Sequence, residues 1–287
     1  MFKSFYRYIG ALKHHPLCHK SIIDETKKSN SRLLATMKLA KDLGKYDIAI
    51  TFRKNLYASL LLKFTKTPVR LGRKTWFNTF LLTKTQSFIA NQHLVLNYLS
   101  LVKNSINEEA NKLSLHIPKE RFKKPTLGIN PGATYGSAKR WYPKEFAKVA
   151  KAFSEQYDIM IFGGPTEVAM GEEIENELKT LNCVNVTNVA GKTSVKELCA
   201  KIGGCDLFLT NDSGPMHIAA AYQIPTIAIF GPTKHTETSQ WMNPKGDIVR
   251  LDMDCAPCMK RSCPLGHHEC MKNITAPMVI DAMKKIV

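Results

Sequence analysis

The sequence predicts an α/β protein made of two doubly wound, parallel-sheet domains, and three observations lead there. Across residues 127–230, short apolar runs of strand length alternate with segments of helix length, the pattern of repeated βα units. Three of those strands run into glycine-bearing loops, at residues 131–141, 163–165 and 211–217, on the edge where such sheets bind ligands. The 287 residues, 44% of them hydrophobic, are enough for two separate cores.

Taken in order, residues 1–15 set Phe2, Phe5, Tyr6, Ile9 and Leu12 among Lys3, Arg7 and Lys13, as an amphipathic helix does. Residues 21–24 form a weak extended segment, and residues 46–52 (YDIAITF) form the first strong strand. A helix over 55–64 and a short strand over 69–72 follow. The loop after them carries Arg70, Arg73 and Lys74 beside Trp76 and Phe77; it suits a phosphate-bearing acceptor, or else is a solvated basic rim. An apolar helix occupies 93–102. Polar residues 108–125, bracketed by Pro118 and Pro125, mark a boundary.

The boundary gives a first domain of 1–122, a second of 123–274 and a closing helix over 275–287, capped by Thr275 with Pro277 in its first turn. Inside the second domain, strands are expected at 127–130, 158–162, 184–187, 206–210 and 226–230. Helices are expected at 144–156, 167–181, 194–202 and 215–222. No repeat or low-complexity tract interrupts the series.

The net charge is +17, and residues 1–122 carry +15 of it. A basic half joined to a near-neutral half implies an acidic partner: nucleic acid, an anionic membrane surface or a phosphorylated substrate. Zinc-finger spacing, an aromatic RNA-binding strand and an arginine-rich arm are all missing, which argues against nucleic acid. No apolar run approaches the roughly 18 residues of a membrane span.

The densest chemistry lies in Asn211-Asp212-Ser213-Gly214-Pro215-Met216-His217. A strand that breaks into Asp, Ser and Gly and restarts at Pro presents a helix N-terminus to its loop, a seat for a diphosphate, with Asp212 and His217 flanking it. An ordinary capped turn is the plain alternative. In the loop after the first strand, glycines allow close approach to the backbone, and Lys139 and Arg140 supply fixed positive charge.

Of eight cysteines, Cys18, Cys183, Cys199 and Cys205 are scattered as core residues are. Cys255, Cys258, Cys263 and Cys270 cluster as C-x2-C-x4-C-x6-C with His267 and His268 inside. This spacing suits a structural zinc; free thiols held by packing are the other reading, and a disulfide ranks below both in the reducing compartment expected here.

Assembled, these residues resemble the ADP-heptose:lipopolysaccharide heptosyltransferases, the heptosyltransferase II branch in particular. The resemblance is carried by Pro131-Gly132-Ala133 with Ala138-Lys139-Arg140-Trp141, by Phe162-Gly163-Gly164, and by Val189-Ala190-Gly191-Lys192-Thr193. Residues 210–217, Phe230-Gly231-Pro232-Thr233 and residues 255–271 complete it. It implies a GT-B fold of two Rossmann-like domains, with ADP-heptose on the second and a phosphorylated lipid A-Kdo-heptose acceptor on the first. L-glycero-D-manno-heptose would pass to the lipopolysaccharide inner core with inversion, at the cytoplasmic side of the inner membrane, peripheral to its anionic surface and with no cofactor required.

By the same resemblance, Lys139 would neutralise the departing phosphate. Asp212, Ser213, Gly214 and His217 would hold the diphosphate and heptose, Thr134 would add a hydrogen bond, and Gly132, Lys192 and Thr193 would line the donor site. The family opens with a strand and a Gly-Asp loop whose Asp is the expected base; this sequence has no such opening, and a late start or truncated first domain is expected. Asp24, Asp47, His14 and His15 sit in no comparable loop. The alternative reading is an inactive GT-B chain that binds the nucleotide sugar without turnover.

Overall fold

The computed structural model describes residues 14–103 and 109–287; the amphipathic segment expected at the N-terminus lies almost wholly outside them. The chain divides into two compact units. One is Ile22–Ala110, and the other is Asn111–Val287 together with the described residues before Ile22.

The first unit opens with α1 (Arg32–Leu43), a helix the sequence pattern did not announce. Ser31 caps it by accepting from the Leu34 N–H, and Gly44, at φ +76, ends it, the position where a left-handed backbone favours glycine. Strand β1 (Ile48–Thr51) leads to α2 (Leu56–Phe64), whose first turn is capped by the Asn55 carboxamide at 2.8 Å from the Ala58 nitrogen. Then come β2 (Val69–Arg73), β3 (Lys84–Gln86) and α3 (Leu94–Leu99), shorter than the helix expected over 93–102. The three strands form one parallel sheet in the order β1-β2-β3. Residues 21–24 join no strand.

The second unit is a six-stranded sheet. Its elements are β4 (Thr126–Asn130), α4 (Pro143–Phe153), β5 (Asp158–Ile161), α5 (Val168–Thr180), β6 (Val186–Asn188), α6 (Val195–Gly204), β7 (Leu207–Asn211), α7 (Gly214–Ala221), β8 (Thr226–Ile229), α8 (His235–Thr238), β9 (Gly246–Val249), α9 (Glu269–Lys272) and α10 (Ala276–Lys284). All pairings are parallel, and the order is β6-β5-β4-β7-β8-β9. That is the strand order of a dinucleotide-binding Rossmann sheet, with its reversal between β4 and β7.

Both faces are buried, as parallel sheets require. Ile159, Ile161, Leu207 and Leu209 enter a core shared with Phe146, Ile174 and Met283 from the flanking helices. The alternate residues Met160, Phe162 and Phe208 enter the opposite core with Ile202 and Ile218. Phe208 lies against Gly128 on the neighbouring strand, where any Cβ would stand 2.6 Å from its ring. The closing helix α10 begins after Thr275, which adopts extended backbone but makes no side-chain cap bond.

The boundary falls some twelve residues earlier than the sequence expectation, between Ala110 and Asn111. The reason is packing. Ile117 is buried in the second unit's core, its carbonyl accepts from the Tyr222 hydroxyl at 2.8 Å, and Glu120 pairs with Lys201. Polar composition marked the segment as a linker, but its few apolar residues attach it to the Rossmann sheet.

Candidate active site

The loops after β4 and β7 flank the reversal of strand order, and buried amides lace them together. Asn130, at the end of β4, donates to the Gly132 carbonyl at 3.2 Å and to the Ser213 hydroxyl at 3.3 Å. Asn211, at the end of β7, donates to the Pro131 carbonyl at 2.6 Å and accepts from the Trp141 N–H at 3.1 Å. Both amides are inaccessible to water, so each bond is retained at full strength and its loss would strand a buried polar group. Trp141 then locks the loop's far end: its indole is buried, packs edge-on to Phe146 and donates to the Ile274 carbonyl.

Between these anchors stands an ion pair. Lys139 Nζ lies 2.5 Å from Asp212 Oδ2, and the Thr233 hydroxyl donates to the same oxygen at 2.6 Å. The side chains are 11% and 5% exposed, which makes this the most buried ion pair among the described residues. Above the ammonium, the Tyr135 ring centroid is 4.7 Å away, close enough for a cation–π attraction. Lys139, Asp212, Ser213 and Gly214, named from sequence, are thus brought together, and Gly214 opens α7 with Pro215 in its first turn.

Other expected residues sit differently. His217 lies half-buried one turn into α7. Thr134 is exposed at the tip of its loop. Lys192 and Thr193 follow β6, on the sheet's outer edge; Lys192 bonds the Asn188 carbonyl there, and Gly191 is tied to the Gly163 carbonyl of the neighbouring loop. They share the carboxyl edge with the ion pair and do not touch it.

Two participants escaped the sequence reading. In the sequence Thr233 only ends a motif, although a hydroxyl just past a strand's carboxyl end is a natural partner for the next loop. Glu167 is buried at the end of the β5 loop, where it accepts from the Gly164 N–H at 2.6 Å. Its carboxyl group lies so close to Gly132 that a Cβ there would meet it at 2.2 Å; glycine is needed for that approach.

Residues 255–270 wrap the outside of the Lys139 loop. The Tyr135 hydroxyl donates to the Met259 carbonyl at 2.7 Å, and the Ala138 N–H donates to the Arg261 carbonyl at 3.1 Å. His268 Nε2 lies 2.9 Å from the Ala138 carbonyl, with Nδ1 3.1 Å from the Tyr142 hydroxyl. Because a carbonyl only accepts, Nε2 carries a proton, and in the neutral ring Nδ1 then accepts from Tyr142.

Cys255, Cys258, Cys263 and Cys270 line one cavity of about 20 Å³ beside this strap, and all eight cysteines are free thiols. As the side chains stand, no group of three or more His, Cys, Asp or Glu residues among those described is placed to share an ion. The His268 N–H, followed by those of Leu265, Gly266 and His267, points at Cys263 and lowers its thiol pKa, whereas burial and then the other three sulfurs push Cys270 up to about 11.

Comparison with known proteins gives the family and the fold. The model of glycosyltransferase family 9 (heptosyltransferase) matches residues 36–269. A relative named lipooligosaccharide heptosyltransferase 2, from Campylobacter jejuni, is 42% identical over 93% of this chain and 84% of its own length. Among solved structures, E. coli ADP-heptose lps heptosyltransferase II superposes with a TM-score of 0.75 at 23% identity, covering 100% of this chain and 94% of that one. E. coli heptosyltransferase WaaC with ADP gives 0.69 at 14% identity, covering 90% and 79%. At these identities the two structures speak for the GT-B fold alone.

Proposed function

As a member of glycosyltransferase family 9, this chain is a heptosyltransferase, and we propose that it moves L-glycero-D-manno-heptose from ADP-heptose to a phosphorylated inner-core acceptor, with inversion at the anomeric carbon. One observation carries the reading: the buried Lys139–Asp212–Thr233 cluster stands at the strand-order reversal of a Rossmann sheet, the place where such sheets hold a nucleotide diphosphate.

The chemistry follows from charge. As the acceptor hydroxyl attacks and its proton passes to solvent, the bond from anomeric carbon to the β-phosphate oxygen breaks, ADP leaves with the bonding pair, and negative charge collects on it. Lys139, oriented by Asp212, and the N-terminus of α7 present fixed positive charge there. With Oδ2 of Asp212 already engaged twice, this carboxylate serves as the positioning group for Lys139 and for the donor rather than as the base. Glu167, after the second strand of the sheet, offers an acceptor to the ribose hydroxyls, as an acidic residue at that place does in dinucleotide folds. Gly132, Thr134, Lys192, Thr193, Ser213 and His217 stand along the same edge as further donor contacts.

The acceptor falls to the basic unit, and the lipid nature of that acceptor implies an anionic membrane surface close by, on the cytoplasmic side. No described helix is long and apolar enough to cross a membrane. A chain that binds the donor without turnover finds no support in the relatives' names, which are those of transferases.

A transfer assay with ADP-heptose and heptose-terminated core acceptor tests the reading. Lys139→Ala is expected to lower kcat by about 10²-fold or more, the scale on which one preorganised charge stabiliser acts. Transfer that is undiminished in both Lys139→Ala and Asp212→Ala removes the assignment.

A further inference from the structure

We propose that the turn bearing Trp76 and Phe80 is a docking site for an anionic lipid surface, the two rings entering the interface and Lys74 and Lys84 holding the headgroups. The inference rests on the reading of the acceptor as membrane-borne, and it adds the surface that would meet that membrane.

The first observation is exposure without looseness. Trp76 is 85% exposed and Phe80 81%, yet the turn between them is pinned from beneath. Asn78, fully buried, donates to the Arg73 carbonyl at 3.0 Å and accepts from the Ser59 hydroxyl of α2 at 2.6 Å. Its own carbonyl accepts from the Leu82 N–H at 2.9 Å, and the Lys74 N–H bonds the Gln86 carbonyl of β3 at 2.8 Å. The scaffold therefore presents two large rings to solvent at a fixed place. Leaving them wet sacrifices apolar burial that a free fold would have taken.

The second observation is charge. Residues 48–107 contain nine Lys and Arg and not one Asp or Glu. Lys74 flanks the turn, Lys84 begins the strand that follows it, and both are exposed. Exposed indole and phenyl rings beside lysines fit a membrane boundary, where the rings lodge at headgroup level and the lysines meet anionic lipid. A groove for a chain-like ligand would instead place the rings along its walls. Neither ring lines the cavity bounded by Leu71, Lys84, Gln86 and Leu101.

Vesicle sedimentation of the full chain tests this, with phosphatidylcholine alone against phosphatidylcholine containing about one part in three phosphatidylglycerol. The chain is expected to sediment with the anionic vesicles only, less so as salt rises, with a blue shift of tryptophan emission. Trp76→Ala with Phe80→Ala should lower partitioning about tenfold or more, and Lys74→Glu and Lys84→Glu should each lower it about fivefold or more. All four side chains are exposed, so an unchanged thermal midpoint confirms that the variants fold. Equal sedimentation of the aromatic variant overturns the proposal, as does indifference to anionic lipid. Binding to single-stranded oligonucleotide that anionic vesicles cannot displace overturns it in favour of nucleic acid. The readout needs no transfer, so its failure leaves the heptosyltransferase reading standing, and loss of transfer in Lys139→Ala leaves the docking surface untouched.

Discussion

Asp212 concentrates the site's electrostatics on one oxygen. A buried carboxylate is tolerable because Lys139 and Thr233 both serve it, and removing Lys139 leaves its charge without compensation. Lys139→Met is therefore expected to cost about 3 kcal/mol of stability, and Lys139→Met with Asp212→Asn to recover most of it; denaturant unfolding of the pair of variants checks this. Thr233→Val, which keeps the shape and removes one hydrogen bond to a charged group, should lower kcat/KM by roughly tenfold. At the other end of the strap, Cys263 is favoured as thiolate by the N–H groups that surround it, above all that of His268. Burial pushes the Cys199 thiol up to about 11 and raises Cys205 further. The thiolate being the reactive form, alkylation near neutral pH should mark Cys263 first and leave Cys199 and Cys205 unmodified until the chain unfolds. Peptide mapping that finds Cys205 modified before Cys263 contradicts the assigned hydrogen bonding.

Strands buried on both sides announce themselves by continuous apolar runs, and β4, β5, β7 and β8 were legible for that reason. Two edge strands, β3 and β9, were not. β9 contributes only Val249 to the main core and reads as GDIV, while β3, Lys-Thr-Gln, has no apolar residue at all; each exists because a neighbouring strand offers it hydrogen bonds. α1 went unseen because its buried residues are Thr36 and Ala40, too small to mark a face. In the same way, the cysteines of residues 255–270 suggest either a structural zinc or thiols held by packing, and say nothing of the strap's hold on the Lys139 loop, which runs through backbone groups and His268. His268→Ala should accordingly lower kcat more than it raises the donor KM, with His268→Gln, which restores an N–H donor, recovering part of the loss. Dialysis against a chelator should leave transfer unchanged on this account. A stoichiometric zinc, whose removal abolishes transfer, would assign the strap's order to its four thiols instead.

Charge divides the whole molecule as its chemistry does. The unit Ile22–Ala110 carries 15 Lys and Arg against 6 Asp and Glu, and it exposes these charges broadly, with Lys54, Lys63, Lys66, Lys74 and Lys84 all at the surface. Residues 123–287, with 19 Lys and Arg against 17 Asp and Glu, are close to neutral and hold their decisive cation buried, on a short ion pair inside laced loops. The asymmetry was legible in the sequence because counting charges needs no geometry; the lacing was not, since Asn130, Asn211 and Trp141 come together only once β7, far along the chain, has paired beside β4. The two kinds of charge differ in their response to salt. Exposed lysines attract a phosphorylated acceptor across water and are screened within a Debye length of about 8 Å at physiological ionic strength, whereas a buried pair is screened far less. Raising salt from about 0.05 M to about 0.5 M should thus increase the acceptor KM severalfold and change the donor KM little. Steady-state kinetics with each substrate varied in turn measures both. A donor KM that rises in step with the acceptor's would place the ADP-heptose diphosphate on exposed charge, and would take Lys139 out of its site.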